Sequence, residues 1–364
     1  MDLRVIAFYL PQYHPIPEND AWWGKGFTEW TNVSKARPLF RGHYQPHVPA
    51  DLGYYDLRLP EARQGQADMA REYGINGFCY YSYWFNGRRL LGRPFDEVLA
   101  SGKPDFPFCL CWANENWTRV WDGLDKEILI KQSYSEVDDR QHIRWLANAF
   151  WDKRYIKVGD RPLFLVYRAR SIPDPVKTTS IWREEARNLG LPELYLCRVE
   201  SFAEEREHPA SLGFDASVEF QPDWPSFPAL LTVPLRRGKM WQRLTQWGLS
   251  SKAYQENDVH SYARVAKLMR RRNIPPYKRF PGVAPGWDNS PRRKHQAIIL
   301  RGSTPKLYRR WLHATLAKFK PYGPGEDLIF INAWNEWGEG NHLEPDVRWG
   351  RAYLEATRRA LRET

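Results

Sequence analysis

The chain has 364 residues, enough for one large α/β barrel or two ordinary domains, and 42% of them are hydrophobic, enough to fill a core. Its net charge of +11 favours anionic partners such as a phosphate-bearing glycan or a membrane surface. Nucleic acid is excluded because the basic residues are dispersed, clustering only briefly at 270–272 and 292–294, and a spanning helix is excluded because no apolar run approaches roughly 18 residues.

In chain order, a first apolar run at Val5–Leu10 leads through Tyr9, Gln12 and His14 into a long aromatic, His- and Pro-rich excursion over 11–60. That opening lacks the cleavage site of a signal peptide, so the expected location is the cytoplasm, peripheral to the inner membrane. A helical pattern at Glu61–Tyr73 precedes a strand at Gly77–Tyr83, which ends in Tyr83, Trp84 and Asn86. Next come a helix at Phe95–Ser101 and a strand at Phe106–Ala113, ending in Trp112, Asn114, Glu115 and Trp117, with Arg119 and Asp122 beyond. Cys109, Cys111, Ala113 and Glu115 share parity, so a Glu115 in a barrel mouth would have small thiols beneath it. Helix Val137–Trp151 opens with Asp138-Asp139, read as an acidic helix start. Strand Pro162–Tyr167, helix Ile181–Leu189 and strand Leu194–Val199 continue the alternation. The next repeat is the weakest, with only Ala203–Leu212 as its helix before strand Ala216–Phe220 and its Glu219. A second excursion over 221–257 interleaves Trp224, Phe227, Leu230, Leu231, Leu235, Trp241 and Trp247 with Arg236, Arg237 and Lys239, which suits a lid or peripheral membrane contact. Helix Val259–Arg272, strand Phe280–Ala284 with Trp287, Asp288 and Asn289 after it, helix Pro305–Lys318 and strand Leu328–Ala333 complete the chain.

Eight strands alternating with helices imply right-handed βαβ units and a parallel sheet. The expectation is therefore α/β: one (β/α)8 TIM barrel covering residues 1–364, with long loops at its C-terminal face. The four cysteines, 79, 109, 111 and 197, fall within strands and are read as buried, reduced thiols.

The last strand runs into Asn332-Ala-Trp334-Asn-Glu336-Trp337-Gly-Glu339-Gly340, two carboxylates three residues apart at a strand's carboxyl end, where barrel sites form. Glycosidic cleavage needs one carboxyl to protonate the leaving oxygen and another as base or nucleophile, with aromatic faces against the sugar. The 15% aromatic content, with 18 Trp and 19 Tyr, suits such platforms. Gly-x-Gly-x-x-Gly, the phosphate-binding Gly-x-x-x-x-Gly-Lys loop, His-Glu-x-x-His and Gly-x-Ser-x-Gly are all absent, so paired-carboxylate chemistry remains, with no metal and no cofactor expected.

With these motifs the chain resembles the WbsX-type family of carbohydrate enzymes, related to the endo-α-mannosidases of glycoside hydrolase family 99. The likeness rests on Phe8-Tyr-Leu-Pro-Gln-Tyr-His14, Trp23-Gly-x-Gly-Phe-Thr-Glu-Trp30, Gly74-Ile-x-Gly-Phe78 through Trp84, Trp112-Ala-Asn-Glu-Asn-Trp117, Pro285-Gly-Trp-Asp-Asn289 and Asn335-Glu-Trp-Gly-Glu-Gly340. It implies a barrel acting on a glycan or lipid-linked glycan. It also implies that Glu336 is the base acting on the sugar's own 2-hydroxyl, giving a 1,2-anhydro intermediate, and that Glu339 is the acid and then the base. Gly338 departs from the histidine usual in family 99, so that subsite is expected to differ. Three activities stay open: a retaining hydrolase or transglycosylase on a bacterial surface polysaccharide, a glycosyltransferase of O-antigen or lipopolysaccharide biosynthesis, and a silent glycan-binding barrel.

Overall fold

The computed structural model describes residues 3–119, 124–226, 238–293 and 295–363. Of the residues singled out in the sequence, Asp122, Phe227, Leu230, Leu231, Leu235, Arg236, Arg237 and Lys294 lie outside them. Nine parallel strand segments form the sheet: β1 Arg4–Tyr9, β2 Gly77–Phe85, β3 Phe108–Trp112, β4 Arg161–Val166, β5 Tyr195–Glu200, β6 Ala216–Glu219, β7 Arg279–Phe280, β8 Gly282–Val283 and β9 Leu328–Ile331. They pair in the order β7-β6-β5-β4-β3-β2-β1-β9-β8. Only Pro281 separates β7, which pairs with β6, from β8, which pairs with β9, so a single stretch of chain hands over between neighbours and brings the sheet's two ends together. Proline has no N–H to place in the ladder, and the Pro281 carbonyl is taken by Phe330 N at 2.9 Å. A Cβ on Gly282 would lie 2.0 Å from the Glu219 carbonyl oxygen, so only glycine fits this handover.

The helices are α1 Pro17–Trp23, α2 Glu29–Lys35, α3 Pro60–Glu72, α4 Arg93–Ser101, α5 Glu136–Phe150, α6 Pro175–Asn188, α7 Lys239–Gln246, α8 Ala253–Glu256, α9 Tyr262–Arg271, α10 Pro305–Lys318 and α11 Ala352–Arg362. Their starts are written locally. Ser135, Asp174 and Thr304 accept the backbone N–H three residues on, at 3.1, 3.0 and 3.3 Å. Each thereby satisfies one of the orphan donors of a helix N-terminus. Pro175 and Pro305 occupy the first turn, where a missing N–H costs nothing. Tyr308, Trp311, Leu312 and Leu316 then recur at helical spacing as the buried stripe of α10.

Two expectations need correction. Ala203–Leu212 is no helix but two 3-10 turns, Ala203–Glu205 and Pro209–Leu212, because Pro209 leaves no room to propagate a longer one. Residues 258–261 are not the start of a helix but a strand pairing in parallel with Ile298–Arg301, and α9 begins at Tyr262. The C-terminal helix α11 has no counterpart among the expected elements.

Alternation along the strands decides what faces the barrel axis. Phe8 stacks on Tyr81 at 5.6 Å between ring centroids and also meets Phe220 and Phe330, forming an interior aromatic layer. All four cysteines are free and buried.

Candidate active site

The turn after β9 is fixed to β1 as if it were another strand. The Asn335 side chain accepts from Leu10 N at 2.7 Å and donates to Leu10 O at 3.0 Å, while Trp334 N donates to Phe8 O at 2.8 Å. The Tyr13 hydroxyl donates to the Asn335 carbonyl. Glu336 and Glu339 are thus set at the carboxyl end of the barrel, in the wall of a cleft of about 830 Å³.

One guanidinium gathers three carboxylates there. Arg292 donates to Glu336 Oε2 at 2.8 Å, Glu339 Oε1 at 2.7 Å and Glu29 Oε1 at 2.8 Å, the last on α2 and wholly buried. A Cβ on residue 338 would stand 1.7 Å from Glu29 Oε1 and 2.8 Å from Arg292 Nε. Gly338 is therefore the space into which the Glu29–Arg292 pair fits. Burial pushes the Glu339 carboxyl up to about 8, with Arg292 opposing and Glu336 and Glu29 adding to the rise. Burial also raises Glu336, against the pull of Arg292. One positive charge facing three carboxylates favours keeping a proton in the cluster.

Five residues on, Glu344 sits in a closed pocket. It accepts from Tyr55 Oη at 2.8 Å, Gln66 Nε2 at 2.7 Å and Trp337 Nε1 at 2.6 Å, and burial raises its carboxyl to about 7.

Of the residues singled out in the sequence, Gln12, Tyr83, Asn114, Glu115, Trp117 and Trp287 line the cleft with Glu336 and Glu339. Glu115 pairs with Arg168 at 3.1 Å across the mouth. The others do not line it. Tyr9, Trp84 and Trp112 have the opposite parity to Phe8, Tyr83 and Ala113, so they point outward to the helices. The Tyr9 hydroxyl donates to Gln66 on α3 at 2.7 Å, Trp84 donates to Asp138 on α5 at 2.9 Å, and Trp112 packs on Trp182 of α6. His14 is buried with Nδ1 3.0 Å from the Pro11 carbonyl oxygen. Glu219 is tied to Arg272 at 2.7 Å. Trp334 is buried against Phe78, and Trp337 stacks on His342 at 3.7 Å. Asp288 lines a second cavity, where it accepts from Gln45 at 2.8 Å and stands 2.6 Å from His43 Nε2. Its own N–H supports the Glu339 carbonyl from behind. Asn289 closes its loop by accepting from Ile298 N at 2.8 Å.

Sequence reasoning missed Glu29, Arg292, Tyr81, Tyr134, Tyr167 and Arg168. Parity with Tyr83 marks Tyr81 as inward, and Glu29 lies inside the Trp23–Trp30 motif. Arg292 carried no local signal beyond its basic cluster.

The comparisons with known proteins agree with this frame. The curated relatives include the uncharacterized protein WxcX of two Xanthomonas campestris pv. campestris strains, each 47% identical over 358 residues, or 98% of this chain. The chain spans about half, 49%, of their length. Similar solved structures include an endo-α-mannosidase of family 99 from Bacteroides thetaiotaomicron, with a TM-score of 0.59 at 17% identity, covering 100% of this chain and 98% of that one. A glycoside hydrolase-like protein gives 0.60 at 15% identity, covering 99% and 94%. At such identities these two establish the fold, the TIM barrel. The family described as glycosyltransferase WbsX matches residues 5–357, and the chain belongs to that family.

Proposed function

We propose that the chain is a carbohydrate-active enzyme that cleaves or transfers glycosidic bonds with Glu336 and Glu339, on a bacterial surface polysaccharide or its lipid-linked precursor. The observation that carries this reading is the pair of carboxylates on one guanidinium, Glu336 buried and Glu339 partly exposed, in the wall of a cleft faced by Tyr83, Trp117, Tyr134, Tyr167 and Trp287. Glu339, raised to about 8 by burial, keeps its proton at neutral pH, as a general acid must. Glu336, with Arg292 at 2.8 Å, is the base that draws the proton from the sugar's 2-hydroxyl. The ring oxygen's electrons and that hydroxyl then expel the leaving group, which takes the Glu339 proton, and a 1,2-anhydro sugar forms. Water or an acceptor hydroxyl, deprotonated by Glu339, opens it at the anomeric carbon while Glu336 returns its proton to the 2-oxygen, giving net retention.

Two observations bear on the substrate. Lys131, Arg168 and Arg293 line the cleft, so an acidic or phosphate-bearing glycan fits its charge. Met240 and Trp247, at opposite ends of α7, and Leu249 just after it are 64%, 71% and 71% exposed, a surface suited to the apolar tail of a lipid-linked precursor. Among the described residues no helix is long and apolar enough to cross a membrane, so contact of this kind would be peripheral. The same cations and the family description favour a second reading, transfer from a sugar phosphate or sugar nucleotide.

Incubation with isolated surface polysaccharide and, separately, with a panel of sugar nucleotides tests both. Release of reducing ends that Glu336→Gln and Glu339→Gln abolish supports the first. Activity that needs a sugar nucleotide and survives both substitutions overturns it in favour of the second.

A further inference from the structure

The second cavity, of about 260 Å³, lies behind the carboxylate turn and takes no part in the chemistry above. Three possible ligand atoms from two distant loops meet at its wall, one each from His47, His342 and Asp346, all within 4.8 Å of one another. His47 Nδ1 faces His342 Nε2 at 2.8 Å. The other nitrogen of His342, Nδ1, lies 2.8 Å from the Glu344 carbonyl oxygen, which can only accept, so it carries the ring's hydrogen. The Nε2 lone pair of His342 is therefore aimed at His47. A ring whose far nitrogen is fixed on a carbonyl is the usual arrangement of a metal-binding histidine. His342 is held further by Trp337 stacked on its face, and His47 by Tyr44 at 4.3 Å. Asp346 is oriented through Trp349 N, which it accepts at 2.6 Å.

We propose that His47, His342 and Asp346 bind a divalent transition-metal ion of the zinc class, which fastens the loop after β1 to the loop after β9. Two imidazoles and a carboxylate form a borderline donor set that suits such ions and not calcium or magnesium, which want oxygen ligands. Bond lengths of about 2.0–2.2 Å place ligand atoms about 3.5 Å apart. That falls between the 2.8 Å of the imidazole pair and the 4.8 Å limit of the triad, so small rotations of the rings and the carboxylate close the site. The fourth position faces the cavity, where water completes it. Arg301 and Arg348 line the same cavity and oppose a cation, but the Arg348 guanidinium is drawn over the Tyr44 and Trp349 rings, at 4.6 and 5.2 Å. Because His342 carries Trp337 on its face, the ion would stiffen the turn bearing Glu336 and Glu339 without touching substrate.

The test uses the whole chain, stripped with a chelator and titrated with Zn²⁺ by calorimetry and with Co²⁺ by visible absorption. The expected result is one tight site per chain, a tetrahedral Co²⁺ spectrum and a higher melting temperature with Zn²⁺. His47→Gln and Asp346→Asn should each weaken binding by about 10–100-fold or more, while His208→Ala, at an exposed histidine, should leave it unchanged. Should the variants fail to fold, X-ray absorption of the Zn²⁺ form of the unaltered chain decides instead, with two imidazole ligands expected. No saturable binding, binding that both substitutions leave intact, or a zinc form without imidazole ligands would overturn the proposal.

Discussion

Glu336 and Glu344 are eight residues apart in one continuous segment, both buried, yet they live in opposite settings. Glu336, with Glu339, answers to a cation at the edge of open cleft. Glu344 answers to three neutral donors, Tyr55, Gln66 and Trp337, in a buried pocket. Burial raises the carboxyls in both settings, but at Glu336 and Glu339 a cation opposes the rise, whereas at Glu344 it is opposed by hydrogen bonds from neutral donors. The difference divides the segment into a part suited to chemistry and a part suited to scaffolding, and each prediction below bears on that division.

The largest effect is expected at the cleft side. Glu336→Gln and Glu339→Gln should each lower turnover by about 10²-fold or more, with substrate affinity largely kept. An activated leaving group, which needs little protonation, should rescue Glu339→Gln more than Glu336→Gln. Kinetics on both substrates checks this, and equal rescue of the two would remove the division of roles.

Glu344 should respond in stability instead. Glu344→Ala leaves three buried donors without an acceptor, and such a loss costs about 2–5 kcal/mol in denaturant unfolding. Turnover per folded molecule should change far less than in Glu336→Gln. The pH dependence has the same origin. Burial raises Glu344 to about 7 and Glu339 to about 8, both above an ordinary carboxylate. Groups raised on folding contribute stability that is complete below the unfolded value and is lost as pH rises through the folded one. Stability should therefore decline between about pH 5 and 8, and Glu344→Gln should flatten the lower part of that decline. An unchanged slope would mean that Glu344 is already ionised at low pH.

Gly338 marks the boundary between the two settings. A methyl group there meets Glu29 Oε1 at 1.7 Å, so Gly338→Ala must shift the Glu29–Arg292 pair. Overpacking of this kind costs about 1–3 kcal/mol. Because the displaced group is the cation shared by Glu336 and Glu339, the pH optimum of turnover should move along with stability. A stability loss with an unmoved pH profile would detach Arg292 from the chemistry.

How much of this division the sequence revealed follows from which interactions are local. Seven of the eight expected strands are present within a residue or two, because a strand buried on both faces is a continuous apolar run, as in Leu328–Ile331, while the expected Phe280–Ala284 is split at Pro281 into β7 and β8. Helix starts at Ser135, Asp174 and Thr304 are equally local. Which strand-end aromatic faced the cleft was legible only through alternation, and reading Tyr9, Trp84 and Trp112 without it placed them on the wrong side of the sheet. Arg292 and the His47–His342 pair were invisible, because they join residues 44 and 295 positions apart and only the closed barrel brings them together.

The smallest effects should separate two tryptophans that look alike in sequence. Trp117 lines the cleft, with Tyr83 edge-on at 5.3 Å. Trp337, between Glu336 and Glu339 in sequence, has its ring stacked on His342 and its N–H on Glu344, so it belongs to the buried pocket. Trp117→Ala should remove a sugar platform worth about 0.5–1.5 kcal/mol, seen as a rise of up to about tenfold in KM with little change in melting temperature. Trp337→Phe keeps most of the ring but removes one donor to a buried carboxylate, a loss of about 1–3 kcal/mol, seen in unfolding with KM nearly unchanged. If Trp337→Phe raised KM and left stability alone, the ring would be reaching substrate, and the line drawn between cleft and scaffold would have to move past Glu344.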